Sequence, residues 1–333
     1  MAELMSGINS AMCVLYKMCM SLFEIHKYTA ADKEAWNAFV AESKNGTFLF
    51  DRNYMDYHHD RFDDNSLMFY AKDKLYAILP ANRCGDCLCS HGGLTYGGLV
   101  MTNKATASEV LALFEELNAY LRGTGIGKVR YKAIPWIYHH VPAEEDLYAI
   151  FKTCNAQLVG RDISSSIIMS NKPKWHHGRK YGITKCRKNG VTIQQSDDYA
   201  AFWQILQGNL QARYGVRPVH TLDEMLLLKS RFPDNIQLYT AQLDGRVIAG
   251  TVLYLTGKVL HTQYISSTPE GKHLGAVDAL FDCILNKDYA NYPIFDFGKS
   301  TEGDASTLNE SLIYQKEGFG GRGVCYDTYE WRV

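Results

Sequence analysis

The chain has 333 residues, of which 46% are hydrophobic and 21% are charged, and this balance predicts a chain that is folded rather than disordered. Its length suits two domains of about 150 residues each. The formal net charge of -1 excludes a global attraction to nucleic acid or to a membrane surface, so any charged binding surface must be local.

The cysteine count and the N-terminus indicate the cellular compartment. Nine cysteines, an odd number, favour reduced thiols in the cytoplasm over a disulfide framework. The apolar run over 11–16 is too short to span a bilayer and lacks the flanks of a signal peptide. We therefore interpret residues 1–20 as an N-terminal extension and predict a cytoplasmic protein with no membrane span, no DNA partner and no tightly bound cofactor.

Hydrophobic periodicity predicts the elements of the first half. They are, in chain order, a helix over 31–43, three strands between 67 and 96, a helix over 106–122, a strand over 129–134, a short helix over 148–154 and a strand over 156–169.

Two groups of metal-binding residue types occur in this half. His58 and His59 are adjacent, so their side chains point apart on a helix or a strand. Cys84-Gly-Asp-Cys87-Leu-Cys89 has the Cys-x-x-Cys spacing of a zinc knuckle, but the sequence offers no second ligand pair. We predict a β-hairpin at the cysteines and no metal site.

A strongly basic segment opens the second half. Residues 163–196 contain no Asp or Glu but seven Lys or Arg residues. Pro173 can begin a helix here, and Asn189-Gly190 can end it. Such a helix is either a solvated linker or a platform for a polyanion, such as a nucleotide, a coenzyme phosphate or RNA.

The elements after the basic segment repeat the order of the first half. They are helices over 199–213 and 221–231, the second opened by a Thr221-x-x-Glu224 capping box, and strands over 237–243, 247–255 and 259–266. Two copies of one plan predict an α/β (α+β) fold. Each domain, over 21–170 and 171–333, is expected to hold a mixed, mainly antiparallel sheet flanked by helices.

The last forty residues make the repeat more specific. They contain Phe295-Asp-Phe-Gly298 and, beginning within a predicted helix over 308–316, the segment Tyr314-Gln-Lys316-Glu-Gly-Phe-Gly320-Gly321. With the tandem plan and the basic helix, these segments resemble the FemAB-like branch of the GNAT acyltransferase superfamily, which includes peptidoglycan bridge-forming aminoacyltransferases. The resemblance extends from residue 21 to the end of the chain. It implies two tandem GNAT-like domains that transfer an acyl or aminoacyl group to an amine in the cleft between them.

The resemblance also implies candidate catalytic residues. Bridge-forming enzymes have a lysine within a pattern similar to aromatic-Lys-x-x-Phe-Gly. Here that lysine is Lys316, with Gln315 at the aromatic position. A cation there would stabilise the negative charge of a tetrahedral intermediate, although a lysine at a helix C-terminus also has a purely structural use. Tyr314 is a candidate for protonating the leaving group, or a core residue.

Asp296 is the candidate general base. Its neighbours Phe295 and Phe297 are apolar, and apolar surroundings would raise the pKa of its carboxyl group. The alternative is a turn-forming aspartate near Gly298.

Substrate contacts are predicted on the last strand of the three and on the basic helix. Strand alternation places His261 and Gln263 on one face and Tyr264 on the other, and whichever face opens on the cleft would contact the substrate. If the basic helix is a polyanion platform, its substrate-binding cations are Lys180, Arg187 and Lys188.

The donor is left open by the sequence. GNAT enzymes that use acyl-CoA hold its pyrophosphate on a loop that corresponds to Lys272-x-x-Gly275-Ala276 here, which differs from the usual pattern and has Glu270 close by. Acyl-CoA, an acyl carrier protein and aminoacyl-tRNA are the candidate donors, and a small molecule or a cell-wall or polysaccharide precursor is the candidate amine acceptor. The alternative function is a catalytically silent module that binds a nucleotide or a cell-wall precursor.

Overall fold

The computed structural model describes residues 21–303 and 307–333, so the predicted extension over 1–20 lies outside the described residues. The described chain has the predicted mixture of helices and mainly antiparallel strands. Within these ranges no helix is long and apolar enough to cross a membrane.

The first half alternates short helices with two groups of strands. Its helices are α1 (Lys33–Glu42), α2 (Arg52–Met55), α3 (Ala107–Arg122) and α4 (Glu145–Thr153). Its strands are β1 (Glu24–Lys27), β2 (Asp63–Asp64), β3 (Leu67–Ala71), β4 (Lys74–Leu79), β5 (Asn82–Cys84), β6 (Cys87–Cys89), β7 (Val100–Met101), β8 (Lys128–Lys132) and β9 (Gln157–Ile168).

The second half follows the predicted order. Its helices are α5 (His177–Lys188), α6 (Tyr199–Tyr214), α7 (Leu222–Arg231), α8 (Pro269–Leu274), α9 (Ala276–Cys283) and α10 (Glu310–Glu317). Its strands are β10 (Thr192–Ser196), β11 (Ile236–Leu243), β12 (Arg246–Leu255), β13 (Val259–Ser267), β14 (Ile294–Lys299), β15 (Thr301–Glu302), β16 (Thr307–Leu308) and β17 (Arg322–Arg332).

One long sheet runs through both halves. Among the described residues it has eleven strands in the order β10-β11-β12-β13-β14-β9-β17-β8-β6-β5-β2, and β1-β3-β4-β7 form a separate sheet in the first half. The C-terminal strand β17 lies between β9 and β8 and pairs antiparallel with both. The halves therefore share a hydrogen-bonded sheet, and the division into 21–170 and 171–333 stays a prediction.

Aromatic side chains also join the halves. The largest apolar cluster contains Trp36 and Tyr138 from the first half and Trp203 and Tyr254 from the second, all at most 1% exposed. Tyr254 packs edge-on against Phe48, with ring centroids 5.4 Å apart. Aromatic pairs of this kind contribute about 0.5 to 1.5 kcal/mol beyond the burial of their area, so the contact between the halves is a packed core.

Several predicted boundaries differ from the structure. The basic helix begins at His177 rather than near Pro173, because the Pro173 segment packs against Gly320, where an added Cβ would lie 2.9 Å from the Pro173 carbonyl oxygen. The last helix begins at Glu310 rather than at Leu308, which instead ends β16. The cysteine segment forms the predicted hairpin, in which Cys84 and Cys87 are direct partners.

Candidate active site

Two adjacent parallel strands separate in the second half. β13 and β14 are paired over only three residues each, ending at His261 and Asp296. Beyond this point β13 continues to Ser267 and β14 to Lys299 without pairing with each other. Because strands that separate leave space between them and free peptide groups on their facing edges, the point of separation is where a ligand can enter the sheet.

A cleft of about 630 Å³ occupies this opening. Such a volume lies within the range of about 300 to 1,000 Å³ that is common for small-molecule sites. Residues from both separated strands and from four helices line it, and they are Leu206, Asn209, Leu210, Ala212, Arg213, Tyr214, Ile265, Ser266, Ser267, Lys272, Val277, Phe281, Phe297, Leu312, Gln315, Lys316 and Phe319.

Asp296 lies at the point where the strands separate and is completely buried. Five side chains from three strands and one turn donate hydrogen bonds to its two carboxylate oxygens. They are Ser164 (2.5 Å), Ser166 (2.7 Å), His261 through Nδ1 (2.8 Å), Tyr326 (2.9 Å) and Tyr138 (3.1 Å). Each half contributes to this group, which we call the Asp296 network, so the network fixes the geometry at the junction of the two halves.

The Asp296 network corrects one prediction from the sequence. Burial alone would raise the pKa of Asp296, but the hydrogen bond and charge of His261 and the hydrogen bonds of Ser164 and Ser166 lower it to about 2. The expected rise in pKa is therefore wrong. Neighbouring residues on a strand point to opposite faces, so Phe295 and Phe297 do not surround the carboxylate but pack against Phe281 on the other side of the sheet. An ionised, enclosed Asp296 is a poor general base.

His261 is held in one orientation by Asp296. Because Nδ1 donates to the carboxylate, the neutral imidazole presents Nε2 as an acceptor. The ring borders a small cavity between the halves, together with Tyr96, Tyr138 and Tyr254, and does not line the main cleft.

Lys316 lines the cleft on the other side of Gly298 from His261. Its Nζ donates to the carbonyl oxygens of Gly298 (2.8 Å) and Lys299 (2.6 Å). An added Cβ at Gly298 would lie 3.2 Å from Cε1 of His261, so the imidazole and the ammonium group both lie next to this residue. Burial lowers the pKa of Lys316 to about 8, against a smaller upward effect of the Asp296 charge.

The structure separates the three predicted catalytic residues. Lys316 is 5% exposed and lines the cleft, whereas Asp296 is completely buried and does not line it. Tyr314 is 65% exposed and has its ring 5.8 Å from His176, outside the cleft. Gln315, at the position where the resemblance has an aromatic residue, lines the cleft instead.

An extra residue in β13 breaks the alternation that the sequence analysis used. Thr262 and Tyr264 pair with consecutive residues of β12, which leaves Gln263 as a β-bulge. The Tyr264 hydroxyl lies 2.7 Å from Nδ1 of His220, and its ring packs on Trp203. Neither Gln263 nor Tyr264 lines the cleft.

The basic helix α5 packs on α9 instead of facing the cleft. Arg187 pairs with Asp282 at 2.5 Å. Arg179 pairs with Asp278 at 2.8 Å on the same helix. Lys180 and Lys188 are exposed and have no ion pair with any described residue. The three predicted substrate-binding cations Lys180, Arg187 and Lys188 therefore lie away from the cleft, and only the two lysines are free to meet a polyanion.

The predicted phosphate loop is covered by the same helix. Gly275 has a φ of +76° and packs against the backbone of Gly182, 2.7 Å from where its Cβ would be. Ala276 is fully buried. Both residues have packing roles, and their role in cofactor binding stays a prediction, because Gly275 also lines a smaller cavity of about 190 Å³ together with Arg179 and Lys272. Lys272, in contrast, is exposed and lines the cleft.

This packing gives a prediction for stability. We expect Gly275→Ala to lower the free energy of unfolding by about 3 kcal/mol. The alanine would have to adopt a left-handed conformation, and its Cβ would overlap with the backbone of Gly182. Gly215→Ala is the matched control. Gly215 has a φ of +67° but no atom within 4 Å of its Cβ position, so we expect a loss of about 1 kcal/mol. Chemical denaturation measures both, and equal losses would show that the helix contact is not tight.

Sequence reasoning missed four members of the Asp296 network. Ser164 and Ser166 belong to a run of three serines inside an otherwise apolar stretch of β9, which is an unusual composition for a buried strand and was an available signal. Tyr138 and Tyr326 carried no local signal. Burial first, and then negative charge nearby, raises the pKa of each tyrosine, which keeps both hydroxyls protonated and able to donate.

In the described ranges no group of three or more His, Cys, Asp or Glu residues is placed to hold a metal ion.

Comparisons with known proteins agree with this fold. The family model of the acetyltransferase (GNAT) domain matches residues 178–305. The crystal structure of FemX superposes with a TM-score of 0.66 at 10% identity, over 93% of this chain and 97% of that chain. No curated protein sequence matches the chain.

Two further structures superpose with similar extent. The C-terminal domain of a putative lysylphosphatidylglycerol synthetase from Agrobacterium fabrum has a TM-score of 0.57 at 15% identity, over 90% of this chain and 91% of that chain. The L-PGS structure from Bacillus licheniformis has a TM-score of 0.58 at 13% identity, over 92% of this chain and 93% of that chain. The predicted GNAT-like fold is confirmed, because the family model matches much of the second half and the FemX structure has the same fold over 93% of this chain.

Proposed function

We propose that this protein, which has the tandem GNAT-like fold of FemX, transfers an acyl group from an activated donor to an amine in the cleft between β13 and β14. The observation that carries the proposal is the position of Lys316. A buried lysine with a lowered pKa, aimed into an apolar cleft at the point where two strands separate, is unusual for a structural residue.

The hydrogen bonds of Lys316 leave one donor for chemistry. An ammonium group has three N–H donors, and two of them are used by the carbonyl oxygens of Gly298 and Lys299. The third is available to the cleft that Lys316 lines. A fixed cationic donor in a site of low dielectric constant stabilises an oxyanion more than water does, because it needs no reorganisation during the reaction.

The proposed reaction balances with one amine and one activated acyl group. The amine nitrogen attacks the acyl carbon, the C–N bond forms, and the carbonyl electrons move to the oxygen facing Lys316. When the intermediate collapses, the bond to the carrier breaks and the carrier leaves with a proton from Lys316. The nitrogen passes its proton to water, because no acidic side chain of the described chain lines the cleft to take it. Water then returns a proton to the neutral Lys316, which restores the ammonium group.

Asp296 and His261 are positioning residues in this proposal. Neither lines the cleft, but the Asp296 network holds the strands where they separate and so holds the Gly298 carbonyl that binds Lys316. The negative charge of Asp296 also favours the protonated form of Lys316.

The donor is best identified from the protein itself. Native mass spectrometry of the protein purified from its host is expected to show a retained acyl-CoA, acyl carrier protein or aminoacyl-tRNA, and incubation with a panel of amines should convert that donor to an amide. A retained ligand that no amine consumes, in the unmodified protein and in Lys316→Met alike, would favour the silent binding module.

A further inference from the structure

The walls of the cleft are apolar along most of their length. Eight aliphatic or phenylalanine side chains line it, and they are Leu206, Leu210, Ile265, Val277, Phe281, Phe297, Leu312 and Phe319. They come from α6, β13, α9, β14 and α10 and from the turn after α10, so the apolar surface surrounds the opening.

The polar groups of the inner cleft are already bound to the protein. Asn209 donates to the Ser266 hydroxyl (2.7 Å) and to the Ser267 carbonyl (2.9 Å). The Ser267 hydroxyl donates to the Ile248 carbonyl at 3.2 Å. Lys316 uses two of its donors on backbone carbonyls. These bonds use much of the hydrogen-bonding capacity of the inner cleft, and the side-chain amide of Gln315 and one donor of Lys316 are left for a polar ligand.

This chemistry disfavours an aminoacyl group. The α-ammonium of an aminoacyl donor needs an anionic or carbonyl partner, and burying it unpaired is costly. No carboxylate of the described residues lines the cleft, whose side-chain carbonyl acceptors are those of Asn209 and Gln315. The positive charges of Lys316, Arg213 and Lys272, which line it, would repel another cation.

The rim of the cleft has the opposite character. Arg213 and Lys272 line the cleft, are exposed and make no ion pair with any described residue. Arg213 lies over the ring of Tyr214 at 5.1 Å, which keeps its charge at the mouth. Two free cations beside an apolar interior complement a ligand with an anionic head and an apolar tail.

We propose that the cleft takes a linear fatty acyl chain carried as a thioester on a phosphate-bearing carrier, with the chain in the apolar interior and the phosphate near Arg213 and Lys272. The inference rests on the proposed function and names its donor class. Coenzyme A and acyl carrier protein share the phosphopantetheine thioester that this chemistry recognises, and the experiments below distinguish them.

Binding can be tested without turnover. Titration calorimetry with saturated fatty acids from butanoate to hexadecanoate is expected to show affinity rising up to about fourfold per added methylene until the cleft is filled. An affinity that does not change with chain length would overturn the inference.

A substitution that shortens the cleft tests the location. Val277 is half-buried and lines the cleft, so we expect the larger side chain of Val277→Trp to fill part of it. We expect the ratio of turnover with dodecanoyl to turnover with acetyl donors to fall at least tenfold. Leu226→Trp, on the exposed face of α7 (44% exposed), is the control and should keep the ratio of the unmodified protein. An unchanged ratio in Val277→Trp, with a melting curve like that of the control, would overturn the inference.

The donor arms separate the two proposals. Dodecanoyl-CoA and dodecanoyl carrier protein are compared with aminoacyl-tRNA in the same amide-forming assay, and turnover with either fatty acyl donor supports both proposals and names the carrier. Turnover with aminoacyl-tRNA alone would leave acyl transfer standing and overturn the fatty acyl donor. Chain-length-dependent binding without turnover of any donor would support the chain site and contradict the proposed function.

Discussion

Asp296→Asn is expected to destabilise the protein by about 3 kcal/mol and to lower turnover at least a hundredfold. The carboxylate receives five hydrogen bonds while completely buried, and an amide can accept at only one of its two terminal atoms, so the other atom would face hydroxyl or imidazole donors. Chemical denaturation and steady-state kinetics with the identified donor measure the two effects.

Two pH profiles separate positioning from simple stability. The negative charge of Asp296 raises the pKa of Lys316, so its removal should move the alkaline limb of kcat below pH 8. The pKa of Asp296 itself is lowered to about 2, so its stabilisation is present above the unfolded-state pKa and is lost as the pH falls from about 4 toward 2. The variant should lack that acid loss, which amounts to about 2 kcal/mol.

Asp146→Asn is the matched control for Asp296→Asn. Asp146 is also buried and accepts hydrogen bonds from the Tyr131 hydroxyl and from the Leu147 amide (2.8 Å), but burial raises its pKa to about 6. The neutral amide resembles the neutral carboxyl group that burial favours, so at pH 5 we expect a loss of about 1 kcal/mol and unchanged turnover. Equal effects of the two substitutions on turnover would remove the special role of Asp296.

Local sequence patterns were sufficient to predict the helices and strands but not the Asp296 network at the centre of the site. The capping box at Thr221 and Glu224 forms as predicted, because it depends on contacts three residues apart. The Asp296 network could not be read in this way, since Tyr138 and Ser164 come from more than a hundred residues away in the sequence. The packing of the predicted phosphate loop could not be read from local sequence either, because its neighbour Gly182 lies on a distant helix that no local pattern connects to it.

The last forty residues show which site residues the family resemblance could identify and which it could not. It identified Lys316, and the structure places that residue in the cleft. Tyr314 lies two residues earlier, and two residues correspond to about 200° around a helix with 3.6 residues per turn, so a helix that turns Lys316 inward turns Tyr314 toward solvent. Helical geometry alone therefore places Tyr314 and Lys316 on opposite faces of the helix, once one of them is known to be buried.

Lys316→Met is expected to lower kcat by about a hundred- to a thousandfold with KM changed only a few fold. It removes the buried cationic donor of the cleft, which acts on the oxyanion that develops in the transition state and on the leaving carrier. It also leaves the Gly298 and Lys299 carbonyls unpaired, so a loss of stability of about 2 kcal/mol should accompany it. Lys316→Arg keeps a cation and should recover part of kcat.

Lys44→Met controls for the loss of a buried lysine. Lys44 is 2% exposed, donates to the Ala105 carbonyl (3.3 Å) and pairs with Glu145 (2.7 Å). These three residues belong to the first half of the chain and do not line the cleft. Its removal should destabilise the protein by leaving Glu145 unpaired, while kcat at a permissive temperature stays unchanged. A comparable fall in kcat would mean that the effect at Lys316 comes from stability.

The alkaline limb decides which form of Lys316 acts. Because the pKa of Lys316 is about 8, its ammonium form predominates at neutral pH. That form donates two N–H groups to the carbonyls of Gly298 and Lys299 and has a third for the cleft. The neutral amine has only two N–H groups, which the carbonyls can take, and would present a lone pair to the cleft. If the ammonium form stabilises the oxyanion, kcat falls about tenfold per pH unit above pH 8, and Lys316→Arg loses that limb. If kcat instead rises through pH 8, Lys316 acts as the base that takes the proton of the amine.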